Sequence, residues 1–143
     1  VFTVEKLGRK PLLIFGSIGM AVGALGVALT FGNEALSTVT MLSIMVYSAS
    51  FMFSWGPIAW VLIAELFPNT IRGAAVAIAV AFQWIFNWIV STSFVPLANS
   101  MGYWFTYGLY GVICILAAVF VWKLVPETKG KTLEDMTKLW KKD

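Results

Sequence analysis

Three stretches of this chain carry no charged residue: Pro11 to Asn33, Ala35 to Ala64, and Gly73 to Trp122. A core helix of a water-soluble protein keeps polar and charged residues on its wet face, which interrupts such runs within a few turns. A bilayer-spanning helix instead needs about 20 consecutive apolar residues, and the last stretch is long enough for two crossings. Charged residues make up 12% of the sequence, against roughly 25% in a typical soluble domain. A soluble globular domain is excluded, and a disordered tail more firmly still. The expected fold class is an all-α, multi-pass integral membrane protein.

The same composition removes several chemistries. The chain has no His and one Cys, Cys114, inside an apolar run. Neither a Cys/His metal site nor a Ser-His-Asp triad can be assembled from it. No metal, no cofactor and no enzymatic activity are expected. The formal net charge of +3 would suit nucleic acid in a polar chain. In so apolar a chain the basic residues set membrane topology instead, and no nucleic-acid partner is expected. The chain opens Val1-Phe2-Thr3 without Met, and it reads as entering mid-protein.

Punctuation divides the charge-free stretches into four predicted spans. Residues 1–10 form a loop, and the first span is 11–31. After Gly32-Asn33-Glu34, the second runs over 37–66. Residues 67–72, with Pro68, make a second loop. The third span is 73–95, Pro96 to Gly102 a turn, the fourth span 103–125, and 126–143 a polar tail. Four spans put residues 1–10, the Pro68 loop and the tail on one side. All ten Lys and Arg residues fall on that side, so both termini are expected in the cytoplasm.

The first span carries Gly16, Gly19, Gly23 and Gly26. Gly19 and Gly23 form a GxxxG pair that lets helices approach closely, so packing is the plain reading and a substrate-lining role the alternative. The second span carries a polar stripe, Ser43, Tyr47, Ser50 and Ser54, spaced for one helix face. Gly56-Pro57 follows and should kink the helix, with Trp60 one turn beyond. Interrupted helices at membrane depth often mark a transporter's binding site; a packing kink with a structural Trp is the alternative. In the third span Gln83 and Asn87 lie one turn apart, beside Trp84 and Trp88. Amides in a charge-free helix must find hydrogen-bond partners. They serve either as interhelical glue or as contacts for an uncharged, hydroxyl-rich ligand, and spacing leaves both open. Glu65, at the inner end of its span and seven residues before Arg72, is read as one member of a structural or gating ion pair at the inner surface, with proton carriage as the alternative. Thr132 and Asp135 form a capping-box pattern for a short tail helix.

Four motifs together resemble the sugar porters of the major facilitator superfamily. Glu5-Lys6-Leu7-Gly8-Arg9-Lys10 is similar to the loop between that family's eighth and ninth helices. Gly56-Pro57-Ile58-Ala59-Trp60 with Glu65-Leu66-Phe67-Pro68 resembles the tenth helix and its inner end. Ile71-Arg72-Gly73 resembles the start of the eleventh, and Pro126-Glu127-Thr128-Lys129-Gly130 the motif after the twelfth. The pattern is most similar to bacterial sugar–proton symporters, xylose–proton symporters among them, which implies a bacterial inner membrane as the setting. The resemblance implies four transmembrane helices matching helices 9–12 of a twelve-helix bundle, with the part holding helices 1–8 as the missing partner. It implies a secondary active transporter moving a monosaccharide by alternating access, with proton symport. It assigns sugar contacts to Trp60, Gln83 and Trp84; Asn87, on the same face as Gln83, joins them as a candidate. It further implies an inner gating network of Glu5, Arg9, Glu65, Arg72 and Glu127, in which Lys10 stands where many relatives carry Arg. A sugar sensor on the same scaffold and a non-functional gene remnant are the competing readings.

Overall fold

The computed structural model describes the backbone of residues 8–138. Glu5 lies outside the described residues. Helix α1 spans Arg9–Thr30, a 3-10 turn Glu34–Leu36, α2 Ser37–Phe53, α3 Trp55–Leu66, α4 Asn69–Leu124 and α5 Leu133–Lys138. The described residues contain no strand. Three helical stretches, Arg9–Thr30, Glu34–Leu66 and Asn69–Leu124, are long and apolar enough to cross a membrane.

α1 is the centre of the assembly, and its small residues explain why. The glycine stripe faces the serine stripe of α2. A Cβ on Gly23 would sit 2.8 Å from the Ser43 carbonyl oxygen, the Tyr47 nitrogen and the Tyr47 Cβ; one on Gly16, Gly19 or Gly26 would collide with Ser54, Ser50 or Ser43. Between apolar helices in lipid there is no hydrophobic drive, so close backbone approach and van der Waals contact hold the pair. The polar stripe is therefore consumed by packing against α1. On its other side α1 meets the second part of α4, where a Cβ on Gly111 would lie 3.0 Å from the Leu25 side chain. Leu12, Leu13, Ile58, Leu62 and Val121 form the main buried cluster, and Met20, Ala21 and Cys114 a second.

Two breaks differ from the expected ones. The second span breaks at Ser54 (φ −117°, ψ −86°), ahead of Gly56-Pro57. A proline ring clashes with the carbonyl four residues earlier. That carbonyl belongs to Phe53, the last residue of α2, so the helix yields there and Pro57 sits in the first turn of α3. The second difference is at Pro96, which lies inside α4. Proline is tolerated inside bilayer helices; here it leaves the Thr92 carbonyl without its helix donor, one turn before the ring. The chain reverses only at Gly102, whose φ of 84° suits glycine. The rings of Phe94 and Tyr110 stack at 6.3 Å, whereas sixteen residues of unbroken helix would part them by about 24 Å. Phe31 joins this end of the molecule, 4.4 Å from Tyr103.

Candidate functional site

Two groups of side chains occupy different depths along the helices. The first surrounds a cavity of about 220 Å³ lined by Phe51, Trp55, Gly56, Ala59, Trp60, Ile63, Ala79 and Gln83. The Ser54 break lets α3 leave the line of α2, so Gly56 and Trp60 face the first part of α4. Ala79 and Gln83, one turn apart, close the opposite side. The cavity thus brings together an indole and a carboxamide, with no charged group among its lining residues. That set can bind a neutral hydroxylated molecule by ring contact and by an amide that both donates and accepts. Complete small-molecule sites enclose about 300–1,000 Å³, so this is a partial wall.

The other two candidates are placed differently. Trp84 and Asn87 do not line this cavity; Asn87 is exposed and Trp84 is 68% exposed. Trp84 is turned about 100° around the helix from Gln83, and Asn87 lies about 6 Å further along it. Conversely, sequence reasoning missed Phe51, Trp55, Ile63 and Ala79. The four-residue steps Trp55–Ala59–Ile63 and Ala79–Gln83 were a usable signal, but only once the break was placed before Trp55.

The second group lies at the end of the bundle that holds the basic residues. Arg9 Nη2 donates to Glu65 Oε1 at 2.7 Å. Thr128 Oγ1 donates to Glu65 Oε2 at 2.6 Å, so both oxygens of that carboxylate are engaged. Glu127 acts elsewhere. Its carboxylate accepts the backbone N–H groups of Arg9 (3.0 Å) and Lys10 (3.1 Å), and that of Lys129 (3.0 Å). α1 begins after Gly8, which has no side chain to cap it. Glu127 supplies that cap from 118 residues away, where the helix dipole also favours an anion. Gly8, at φ +90°, makes room: a Cβ there would lie 2.8 Å from Glu127 Oε2. Arg72 Nη2 donates to the Phe67 carbonyl at 3.3 Å. Arg9, Glu65, Arg72, Thr128 and Lys131 border one cavity of about 450 Å³. The Nε atoms of Arg9 and Arg72 are buried with no hydrogen-bond partner among the described residues.

Among the described residues no cluster of three or more His, Cys, Asp or Glu side chains could hold a metal. In the tail the Thr132 hydroxyl and backbone N–H both donate to Asp135 Oδ2 (2.9 and 3.3 Å), and Asp135 N–H donates back to the hydroxyl at 3.2 Å. This is the reciprocal capping box expected from the sequence.

Comparison with known proteins identifies the scaffold. The model of the family described as "Sugar (and other) transporter" matches residues 1–140. The D-xylose-proton symporter of Escherichia coli (strain K12) is 48% identical over 98% of this chain and 30% of its own length. The glucose transport protein of Synechocystis is 44% identical over 93% of this chain and 31% of its own length. The inward-open structure of the xylose transporter XylE from E. coli superimposes with a TM-score of 0.91 at 50% identity, covering 98% of this chain and 32% of that one. The chain therefore spans about a third of the length of the relatives it matches. Helical architecture, family match and close superposition agree, and the chain belongs to the sugar transporter family.

Proposed function

We propose that this chain supplies helices 9–12 of a twelve-helix sugar transporter, in which α1, α2 with α3, and the two parts of α4 on either side of Gly102 make four membrane crossings. Residues 1–10, the Pro68 loop and the tail face the cytoplasm of a bacterial cell, because the Lys and Arg residues gather at that end. The missing part, with helices 1–8, completes the pathway. The complete protein moves a monosaccharide by alternating access, with proton symport. The observation that carries this reading is the shared cavity of Trp60 and Gln83 beside the α2–α3 break. Trp60 offers its ring to the sugar and Gln83 bonds its hydroxyls, while Trp84 and Asn87, on the open side of the same helix, contribute to the wall completed by the other part. Arg9, Glu65 and Arg72, with Glu127 on the end of α1 and Glu5 preceding it, close the cytoplasmic side and separate when the protein opens inward. Full engagement of Glu65 by Arg9 and Thr128 favours this gating role over proton carriage.

The test is labelled-sugar uptake by proteoliposomes holding the complete transporter, wild type against Gln83→Ala. Hydrogen bonds to a neutral partner contribute about 0.5–1.5 kcal/mol each, so loss of two or more bonds lowers uptake efficiency about tenfold or more. Unchanged uptake and affinity at equal protein would reduce Gln83 to interhelical packing.

A further inference from the structure

The junction between α2 and α3 is bonded to α1 by two side chains. Ser54 Oγ donates to the Leu12 carbonyl at 2.8 Å. Trp55 Nε1 donates to Ser17 Oγ at 2.7 Å, and Ser17 Oγ donates onward to the Leu13 carbonyl at 2.8 Å. Ser17 and Ser54 are both fully buried. An indole N–H can only donate, and a hydroxyl both donates and accepts. The chain indole to hydroxyl to carbonyl therefore runs in one direction and is complete. Trp55 also packs against both buried clusters and lines the cavity shared by Trp60 and Gln83. Its ring is one mechanical link between the packed interior and that wall. At its far end α3 is tied to α1 again, through Glu65 and Arg9. α3 is thus anchored at both ends to the central helix, and the backbone joint at Ser54 is where it could pivot.

We propose that Ser17 and Trp55 are positioning residues: their hydrogen bond sets the pivot of α3 at the Ser54 break, and so the placement of Trp60 opposite Gln83. Neither need touch the sugar through its polar atom. Removing the Ser17 hydroxyl leaves the indole N–H without an acceptor in an apolar interior, where an unpaired donor is costly. The ring then turns to find another acceptor, and α3 turns with it.

The affinity arm of the test rests on the sugar-site reading, so a second arm is independent of sugar. Both use the complete transporter carrying Cys114→Ala and a reporter Ile63→Cys on the cavity wall. Ser17→Ala, Trp55→Phe and their double substitution are compared. Trp55→Phe keeps an aromatic ring but removes the indole N–H together with part of the ring's bulk, so its change in labelling decides the matter if Ser17→Ala does not accumulate. In the labelling arm, each single substitution is expected to change the reaction rate of the reporter with a water-soluble maleimide threefold or more. The double substitution should go no further than Trp55→Phe alone, because the one bond both remove is already gone. In the uptake arm, KM for the sugar rises threefold or more while kcat stays within twofold; a merely structural role would lower the amount of active protein and leave KM alone. Unchanged labelling in both singles, or effects that multiply in the double, overturns the proposal. If the wild type takes up no sugar, the sugar-site reading fails and the labelling arm still decides whether the pivot exists.

Discussion

α1 and the 69–101 part of α4 are both apolar and charge-free through their middles, yet they are used in opposite ways. α1 buries eleven of its 22 residues, among them Gly16, Ser17, Ala21, Gly23, Ala24 and Ala28. Residues 69–101 bury one, Ala98, and expose Phe82, Trp84, Phe86 and Trp88. Hydrophobicity does not separate the two, because lipid solvates a leucine as well as a neighbouring helix does. What each helix meets does: the small residues of α1 lie against α2 and the second part of α4, whereas 69–101 exposes small residues (Gly73, Ala74, Ala77, Ala81) and large ones alike and leaves a face open. Gln83 sits on that open helix, opposite α3, which is tied back to the centre at both ends. Packing and the candidate binding wall are thus assigned to different helices.

The sharpest way to break this contrast is to enlarge a glycine on each helix. In Gly23→Leu the new side chain meets the α2 backbone, which has little freedom to give, and overpacking costs about 1–3 kcal/mol. A lower melting temperature and loss of monodisperse protein are expected. Gly73→Leu, where nothing lies within 4 Å of the added Cβ, should melt within a degree or two of wild type. Equal losses at both positions would mean that close packing does not distinguish α1.

A smaller effect is expected at the inner end. Glu65→Gln keeps an oxygen for Thr128 but removes the ion pair with Arg9. The pair is partly buried, with side chains 29% and 19% exposed, which places its worth between an exposed pair and a buried one, about 2 kcal/mol. In the complete transporter this should shift the population toward the inward-open form, read as faster labelling of a cytoplasmic-side cysteine. An unchanged rate would remove Glu65 from the gate.

Much of the packed half was legible in advance, because glycine spacing on one face of a helix has one main use in a bilayer. The serine stripe was half legible: its spacing defined a face but not what that face meets, and α1 occupies it. The capping box of Thr132 and Asp135 is a local pattern and was readable as such. The resemblance named Glu127, but its capping role was not readable, since the α1 N–H groups it accepts lie 117 and 118 residues away and no local spacing reports them. Trp60 and Gln83 stood out as an indole after a break and an amide in a charge-free helix. Whether they share a cavity depended on where the break falls, and the ring of Pro57 acts on Phe53 rather than on its own position.

The smallest expected effect concerns the tail. The hydrogen bond from the Thr132 side chain, then that from its backbone, holds the Asp135 carboxyl below its ordinary range. A depressed folded-state pKa means the cap contributes fully above the unfolded value, about 3.9, and is lost as pH falls through the lower folded value. The protection factors of the amides in residues 133–138, exchange rates divided by their intrinsic pH dependence, should fall only below about pH 4, and Asp135→Ala should show the low protection at every pH. Pinning of the tail by other contacts would appear as protection that ignores both changes.

The central claim, that Gln83 and not merely its helix face belongs to the sugar wall, is tested most directly by equilibrium binding of monosaccharide to the complete transporter. Gln83→Ala should weaken binding about tenfold, near 1.4 kcal/mol, while Asn87→Ala, one turn along and outside the cavity, should stay within about threefold. Unchanged affinity in Gln83→Ala, or a loss at Asn87 alone, would contradict it.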